Sequence, residues 1–164
     1  MAYSKYASIT IDNTKVSGSS DLTNFPVLIS GTYDGTGGEP DIRTSANGGD
    51  VENTASGGAS GSYTIPADLV FSPNTDGSSP YDFEIEKYDA STGEIIAWVE
   101  IPTLDYDDDT VLYMVYGDSG VTTSQEDVAA ITEIDKEKIK YIAKDYELHL
   151  YDKPEVTEDG GYEI

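Results

Sequence analysis

The feature that most restricts the fold of this chain is a series of short alternating or apolar runs, separated by turn-forming residues. Such runs bury every second side chain, as a β-strand does, and most are too short for helices. Clusters of Gly, Ser, Asn, Asp and Pro stand between them and favour turns. The six strongest strand predictions are Tyr6–Asp12, Phe25–Ile29, Ala67–Phe71, Tyr81–Tyr88, Glu94–Ile101 and Thr110–Tyr116. Their regular spacing predicts an all-β fold, an antiparallel β-sandwich or jelly roll.

The character of the chain changes after residue 125. We therefore divide it into a β-sandwich domain at 1–125 and a C-terminal extension at 126–164. Residues 128–144 have a helical composition and residues 146–151 alternate like a strand, which predicts a mixed helix-strand extension. Five of the nine basic residues lie in this extension. We expect it to make assembly contacts through its apolar side chains, which are Ile131, Ile134, Ile139, Ile142, Leu148 and Leu150.

The charge of the chain restricts its partners. It has 32 acidic and 9 basic residues, a formal net charge of −23, and no cysteine. Such a field repels nucleic-acid phosphates and anionic lipid, so we expect neither nucleic acid nor membrane as a partner. The absence of cysteine excludes disulfides and thiolate metal sites. The first residues lack a basic stretch followed by an apolar core, which predicts synthesis in the cytoplasm without a signal peptide.

A run of aspartates between the two strongest predicted strands is the candidate metal site. Asp105, Asp107 and Asp109 could give oxygen ligands to calcium, which takes 6–8 of them. The run lacks the glycine and the later glutamate of an EF-hand loop. An acidic hairpin tip without an ion is the other interpretation, and the sequence leaves both open. Calcium is the only cofactor that the sequence suggests.

Aromatic residues are the candidate contacts for sugars or protein partners. Aromatic rings have a large apolar face, and tyrosine adds a hydroxyl group that forms hydrogen bonds. Trp98 lies in the middle of a predicted strand, and we expect it in the core. The tyrosines in predicted loops are better candidates for carbohydrate or partner contact, and these are Tyr33, Tyr63 and Tyr106.

Two patterns that resemble enzyme sites do not lead us to predict an enzyme. Residues 117–120 read GDSG, as in the nucleophile segment of trypsin-like proteases, but Ser119 directly follows a predicted strand. A serine nucleophile needs a base, and the single histidine, His149, lies in the extension. Three strand carboxylates alternate with apolar residues, which indicates a solvent face rather than the carboxylate pair of a glycosidase; they are Glu84, Glu86 and Glu100. We therefore interpret Ser119 as part of a turn.

Several segments together resemble a known family. They occur in one order over about residues 5–125, and they read SITIDNTKV, DLTNFPVLISGTY, SANGGDVEN, DLVFSPNTDG, FEIEKYDASTGEIIAWVEIPTL and DTVLYMVYGDSGVTTSQ. This pattern is similar to the family called domain of unknown function 2341. The family occurs in surface proteins of bacteria and archaea and in phage tail-type proteins, often beside concanavalin-like lectin domains. The resemblance implies no catalytic residues.

The resemblance, the charge and the extension together lead to an expected function. We expect a non-enzymatic structural protein of a phage virion, either a capsid decoration or a tail- or fibre-associated module. It would dock through residues 126–164 onto other protein subunits, which are further copies of itself or a coat or tail protein. We expect a homo-oligomer or part of a larger assembly, made in the host cytoplasm and located in the virion. The alternative is a carbohydrate-binding or adhesive module that meets a glycan outside the cell or at its surface.

Overall fold

The computed structural model describes residues 2–132, 139–144 and 147–152, and it is mostly β. The strands are β1 Lys5–Ile11, β2 Leu22–Thr32, β3 Thr54–Gly57, β4 Tyr63–Pro66, β5 Leu69–Ser72, β6 Phe83–Asp89, β7 Glu94–Leu104, β8 Thr110–Tyr116, β9 Ile139–Lys144 and β10 Glu147–Asp152. One short helix, α1, spans Val128–Thr132, and 3₁₀ turns lie at Asn13–Lys15, Thr36–Gly38 and Ser45–Asn47. Each of the six predicted strands overlaps an observed strand, so the prediction of a β-rich fold is confirmed.

Eight strands form one sheet in the order β5-β8-β1-β10-β9-β2-β7-β6, and β3 pairs with β4 in a separate sheet. The ladders are antiparallel except between β1 and β10 and between β2 and β9. The longest ladder joins β2 to β7 and runs from the pair Leu22–Leu104 to the pair Thr32–Glu94. The turns that join β6 to β7 and β7 to β8 are short, as antiparallel pairing allows, whereas long stretches separate β2 from β3 and β8 from β9.

The two ends of the large sheet face each other. Phe71 on β5 and Phe83 on β6 belong to opposite edge strands, yet their ring centroids lie 5.4 Å apart in an edge-to-face arrangement. The sheet therefore curves back on itself and encloses the apolar side chains of its inner face. Ile9, Ile29 and Ile101 are completely buried there, since alternate residues of each strand point inward.

Helix α1 covers part of the outer face of β2 and β7. Ile131 is completely buried and packs against Leu28 and Trp98, which are opposite each other in the β2–β7 ladder. The prediction that Trp98 is a core residue is confirmed, and its indole N–H donates to a Glu86 carboxylate oxygen at 2.9 Å. Within the described part of the chain, no helix is long and apolar enough to cross a membrane.

The expected solvent exposure of Glu84 is wrong. Its side chain is 1% exposed, although it belongs to the polar set of the alternating run at β6. Glu84 is opposite Trp98 in the β6–β7 ladder, and α1 packs on both strands. Alternation identified which residues share a face, but α1 comes from a later part of the chain and packs on this part of the sheet, so Glu84 is buried while Glu86 is exposed.

The extension contributes strands to the middle of the large sheet. Strands β9 and β10 form a hairpin between β1 and β2. The backbones of Ile139, Ile142, Leu148 and Leu150 belong to this hairpin. Their side chains, that of His149, and all of Ile134 lie outside the described residues.

Candidate functional site

The predicted calcium ligands lie in the turn between β7 and β8. Asp105, Asp107 and Asp108 each place one carboxylate oxygen within 4.8 Å of the others. Asp109 does not belong to this group, because its carboxylate accepts the backbone N–H of Asn13 at 3.0 Å. The structure thus brings together two of the three predicted ligands and adds Asp108.

Hydrogen bonds within this turn give its carboxylates a structural role. One oxygen of Asp105 accepts the backbone N–H groups of Asp107 and Asp108, at 3.0 and 3.1 Å. These bonds lower the pKa of Asp105. The pKa of Asp107 is raised, and the largest cause is a side-chain hydrogen bond with Asp105. The arrangement is that of a turn capped by its own aspartate. Three carboxylates would give a calcium ion only part of the 6–8 oxygens that it takes.

The three candidate tyrosines have different surroundings. Tyr63 on β4 and Tyr106 in the β7–β8 turn are 50% and 38% exposed. Tyr33 is 4% exposed and belongs to the core. It follows β2 directly, and its backbone bonds with Gly93 and Ile42 fold this stretch over the sheet. The ring of Tyr33 therefore lies in the interior, although residues 36–39 of its loop are exposed, and it is not offered to a ligand.

Ser119 lies in the exposed turn after β8, in agreement with the interpretation from sequence. The neighbouring Asp118 accepts the backbone N–H groups of Gly120, at 2.9 Å, and of Ala2. These bonds lower the pKa of Asp118. The carbonyl of Ser119 accepts the side-chain amide of Asn53 at 3.1 Å. Residues 117–120 thus tie the end of β8 to two distant segments of the chain.

A buried carboxylate stands beside this turn. Asp68 is completely buried, and it accepts the backbone N–H groups of Glu52, Asn53 and Asp118 at 2.9, 3.1 and 3.1 Å. It joins the segment before β3 to the turn after β8. Buried carboxylates are stable only when paired or well hydrogen-bonded, and this one is held by backbone donors.

Glu126 fixes the start of the extension to the domain. Its two carboxylate oxygens accept the backbone N–H groups of Ile85 at 2.6 Å and Gly58 at 2.9 Å. Together with the buried Ile131, Glu126 attaches residues 126–131 to the domain at residues 1–125.

A groove of about 390 Å³ lies beside the N-terminal half of β1. It is bounded by Lys5, Tyr6 and Ser8 on the strand, by residues 38–41 of the neighbouring loop, and by Asp50. Tyr6 is 57% exposed, and its ring meets that of Tyr113 edge-on, with centroids 5.7 Å apart. The buried hydroxyl of Tyr116 lines the groove, and burial raises its pKa to about 12.

One edge of β1 is open to this groove. Strand β1 pairs with β8 from Lys5 to Ile11, whereas its pairing with β10 has the single register pair Thr10–Glu147. Among the described residues, 5–9 of β1 therefore have a strand neighbour on one side only. Alternate residues of a strand direct their N–H and C=O groups to each side, so this stretch of β1 has backbone groups that no described strand pairs.

The charges around the groove are mainly negative. Asp50 forms an ion pair with Lys5 at 3.5 Å, and both side chains are nearly half exposed. Asp41 accepts two hydrogen bonds from the Arg43 guanidinium, which lower the pKa of Asp41. Glu39 is exposed and adds a further carboxylate. Exposed pairs such as Lys5–Asp50 contribute little stability and exchange readily with a ligand.

The sequence does not predict the groove, because its residues come from distant parts of the chain. The sequence does indicate that Tyr6 is exposed, since Tyr6 is on the polar side of the alternating run at β1. Glu39 and Asp50 lie in a Gly-rich stretch without periodicity, and only the folded loop brings them to β1. The sequence also does not identify the roles of Asp68 and Glu126. A buried carboxylate that accepts backbone N–H groups cannot be distinguished in a single sequence from an exposed one.

Comparison with known proteins gives one match. The family model "Domain of unknown function (DUF2341)" matches residues 66–145. The resemblance to this family is confirmed, over a range that begins later than residue 5 and ends beyond residue 125. No curated protein matches the chain, and no solved structure does.

Proposed function

We propose that this chain, which carries a DUF2341 domain over residues 66–145, is a non-enzymatic structural protein of a phage virion. It is a capsid decoration or a tail- or fibre-associated module. Its partners are further copies of itself and a coat or tail protein, which it meets through the extension. The occurrence of the family in phage tail-type proteins supports this location.

In this proposal the domain is a β-sandwich. One layer consists of β5, β8 and β1, and the other of β2, β7 and β6. The contact between Phe71 and Phe83 supports this arrangement, since it joins the edge strands of the two layers across the core. The two layers meet the extension at β1 and β2, where the hairpin β9–β10 lies.

The observation that carries the proposal is how this hairpin is attached. Strand β10 pairs with β1 at Thr10–Glu147, and β9 pairs with β2 at Ile29–Ala143. Each strand of the extension thus joins the body through one register pair. Strand addition relies on main-chain hydrogen bonds, so an edge that accepts a strand of its own chain also suits a strand from another chain. The extension is therefore suited to linking copies.

The use of carboxylates in the body supports a structural role. Asp68 and Glu126 each hold two or more backbone N–H groups from distant segments. Asp118 holds one from the distant Ala2 and one from Gly120 in its own turn. These carboxylates fix loops rather than face a common cleft. A rigid acidic module of this kind repels nucleic acid, which suits a position on the outside of a particle.

The test is to follow the protein by mass spectrometry across a density gradient of lysate. Co-sedimentation with particles, at an abundance comparable to the coat protein, is the expected result. Recovery at the top of the gradient or with cell envelopes would refute the virion location.

A second function, carbohydrate binding or adhesion at a cell surface, is favoured by the exposure of Tyr63 and Tyr106. Exposed rings of this kind stack on sugars. A glycan array would show saturable binding that Tyr63→Ala or Tyr106→Ala removes. Val111→Ala, which truncates another exposed apolar side chain, is the matched control and would leave binding unchanged.

A further inference from the structure

We infer that the groove beside β1 binds a neutral carbohydrate. The groove combines an exposed tyrosine with hydrogen-bond donors and acceptors, and the loop that borders it is held by its own hydrogen bonds. The inference adds a ligand to the proposed structural role and names a site other than Tyr63 and Tyr106. Tyr106 lies in the turn at the far end of β1, where Ile11 pairs with Thr110.

The groove has the size of a small-molecule site. Its volume is about 390 Å³, within the range of roughly 300–1,000 Å³ that such pockets occupy. Strand β1 forms one wall from Lys5 to Ser8, and residues 38–41 form the other. The described pairing of β1 with β10 is limited to Thr10–Glu147, so no described strand lies against residues 5–8 on the side away from β8. The groove therefore suits a small organic ligand rather than a single ion.

Tyr6 supplies the apolar surface that a sugar ring needs. This residue bounds the groove, and its side chain is 57% exposed. An edge-to-face contact with Tyr113, at 5.7 Å between ring centroids, orients the ring of Tyr6. The C–H face of a sugar packs on an aromatic face, and the phenol hydroxyl adds a polar group beside it. Tyr6 is therefore the residue on which the sugar ring stacks.

Hydrogen-bond donors and acceptors line the same groove. Asp50 has an ion pair with Lys5 at 3.5 Å, and both side chains are nearly half exposed. A carboxylate has about four acceptor positions and an ammonium group has three donors, so both residues keep capacity for further hydrogen bonds. The exposed Ser8 and Glu39 add a hydroxyl group and a second carboxylate. Sugar hydroxyls both donate and accept, and they match a groove that offers both kinds of partner.

The same groups do not suit a charged ligand. The net charge of −23 repels an anionic sugar. Asp41 accepts two hydrogen bonds from the Arg43 guanidinium, at 2.9 and 2.6 Å, and Asp50 is paired with a lysine. Two of the three carboxylates of the groove thus already have a cation. Within the described part of the chain, three potential metal ligands come together only in the β7–β8 turn, which leaves a neutral, hydroxyl-rich ligand for the groove.

The loop wall of the groove is held by its own hydrogen bonds. The backbone N–H of Asp50 donates to the carbonyl of Asp41 at 3.1 Å. The backbone N–H of Gly35 donates to the carbonyl of Pro40, also at 3.1 Å. Gly35 has a φ of 75°, and a Cβ atom there would lie 2.9 Å from a carboxylate oxygen of Asp41, so this close approach requires glycine. A wall that is already ordered lowers the entropic cost of binding.

The test is an array of immobilised neutral and anionic glycans, probed with the full chain. Tyr6→Ala removes the ring, and Asp50→Asn removes the charge of the carboxylate. Their matched controls lie outside the groove. These are Val111→Ala, at another exposed apolar side chain, and Asp82→Asn, at another exposed carboxylate. Urea unfolding shows whether each variant is folded.

We expect saturable binding of neutral glycans by the natural chain and by both controls. Tyr6→Ala weakens this binding by about tenfold or more, because the stacking surface is lost. Asp50→Asn weakens it by about fivefold, because a charge-assisted hydrogen bond becomes a neutral one. Ser8→Leu fills the groove from an exposed position and keeps both of those groups, and it abolishes binding.

The inference is overturned if no neutral glycan binds saturably, if anionic glycans are preferred, or if the groove variants leave binding unchanged. Binding that only Tyr63→Ala or Tyr106→Ala removes also overturns it, since the sugar would then lie at those tyrosines. The density gradient is independent of these results. Groove-dependent glycan binding by a protein that never sediments with particles supports the groove and overturns the virion role, and particle association without glycan binding does the reverse.

Discussion

Removing the negative charge of Asp68 should weaken the domain more than removing any exposed carboxylate. Asp68 is completely buried, and its oxygens accept three backbone N–H groups. Asp68→Asn keeps the shape but leaves one acceptor oxygen. In its better orientation this oxygen keeps the bonds from Glu52 and Asp118, while the new amide group turns a donor toward the N–H of Asn53.

The cost follows from that geometry. One hydrogen bond to a charged acceptor is lost, and one buried N–H is left without a partner, each worth roughly 1–3 kcal/mol. The remaining bonds weaken because their acceptor is now neutral, while the desolvation cost of a buried charge is removed. We therefore expect a loss of about 2–4 kcal/mol in the free energy of unfolding, a large part of the stability of an ordinary domain.

Urea unfolding followed by tryptophan fluorescence measures this loss, because Trp98 is the only tryptophan and is 5% exposed. The control is Asp76→Asn, at an exposed turn where the carboxylate accepts the N–H of Ser78 at 2.9 Å. We expect the control to cost less than about 1 kcal/mol. If Asp68→Asn lies within ~0.5 kcal/mol of the natural protein, the structural role assigned to Asp68 is wrong.

Three further predictions concern the helix, acid stability and calcium. Ile131→Ala should cost about 2–4 kcal/mol in urea unfolding and shift the emission of Trp98 to longer wavelength, since Ile131 is completely buried against it; unchanged emission would contradict this packing. The pKa of Asp118 is lowered by the backbone N–H groups from which its carboxylate accepts hydrogen bonds. Ionised Asp118 therefore adds to the free energy of unfolding above the unfolded pKa of about 3.9, and this stabilisation is lost as pH falls through the lower folded pKa. Melting temperatures from pH 6 to pH 3 should therefore fall less for Asp118→Asn than for the natural protein, and equal slopes would refute the assignment. Calcium titration by calorimetry should give no saturable heat, because Asp105 already accepts two N–H groups of its own turn; heat that Asp107→Ala abolishes would establish an ion there.

The strands were predictable because their signal is local. At β8 the residues of TVLYMVY supply the β-branched and aromatic side chains that suit a pleated sheet, and the observed strand has the predicted bounds. At β1 the alternation placed Ile9 and Ile11 on one face, and both are completely buried. The turn at residues 117–120 was also predictable, since its glycines and polar residues have known turn preferences.

The parts that could not be predicted depend on contacts between distant segments. Glu84 is buried because α1, over forty residues later, covers it. Tyr33 is buried because its loop folds over the sheet through bonds to Gly93 and Ile42. The groove combines β1 with Glu39 and Asp50 from a stretch without periodicity. A single sequence carries no local signal for any of these contacts.

The extension after α1 is the element on which the assembly role depends. Sedimentation velocity compares the full chain with a variant that ends at Thr132, which keeps the Glu126 bonds and the buried Ile131 but removes the hairpin β9–β10 from between β1 and β2. Trp98 keeps its contact with Ile131 in this variant, so its fluorescence reports whether the remaining strands stay folded. We expect the full chain to associate with rising concentration, and the shortened chain to keep the Trp98 fluorescence of the full chain and to stay monomeric. If the two proteins associate equally, the extension does not join copies, and the proposed assembly role is wrong.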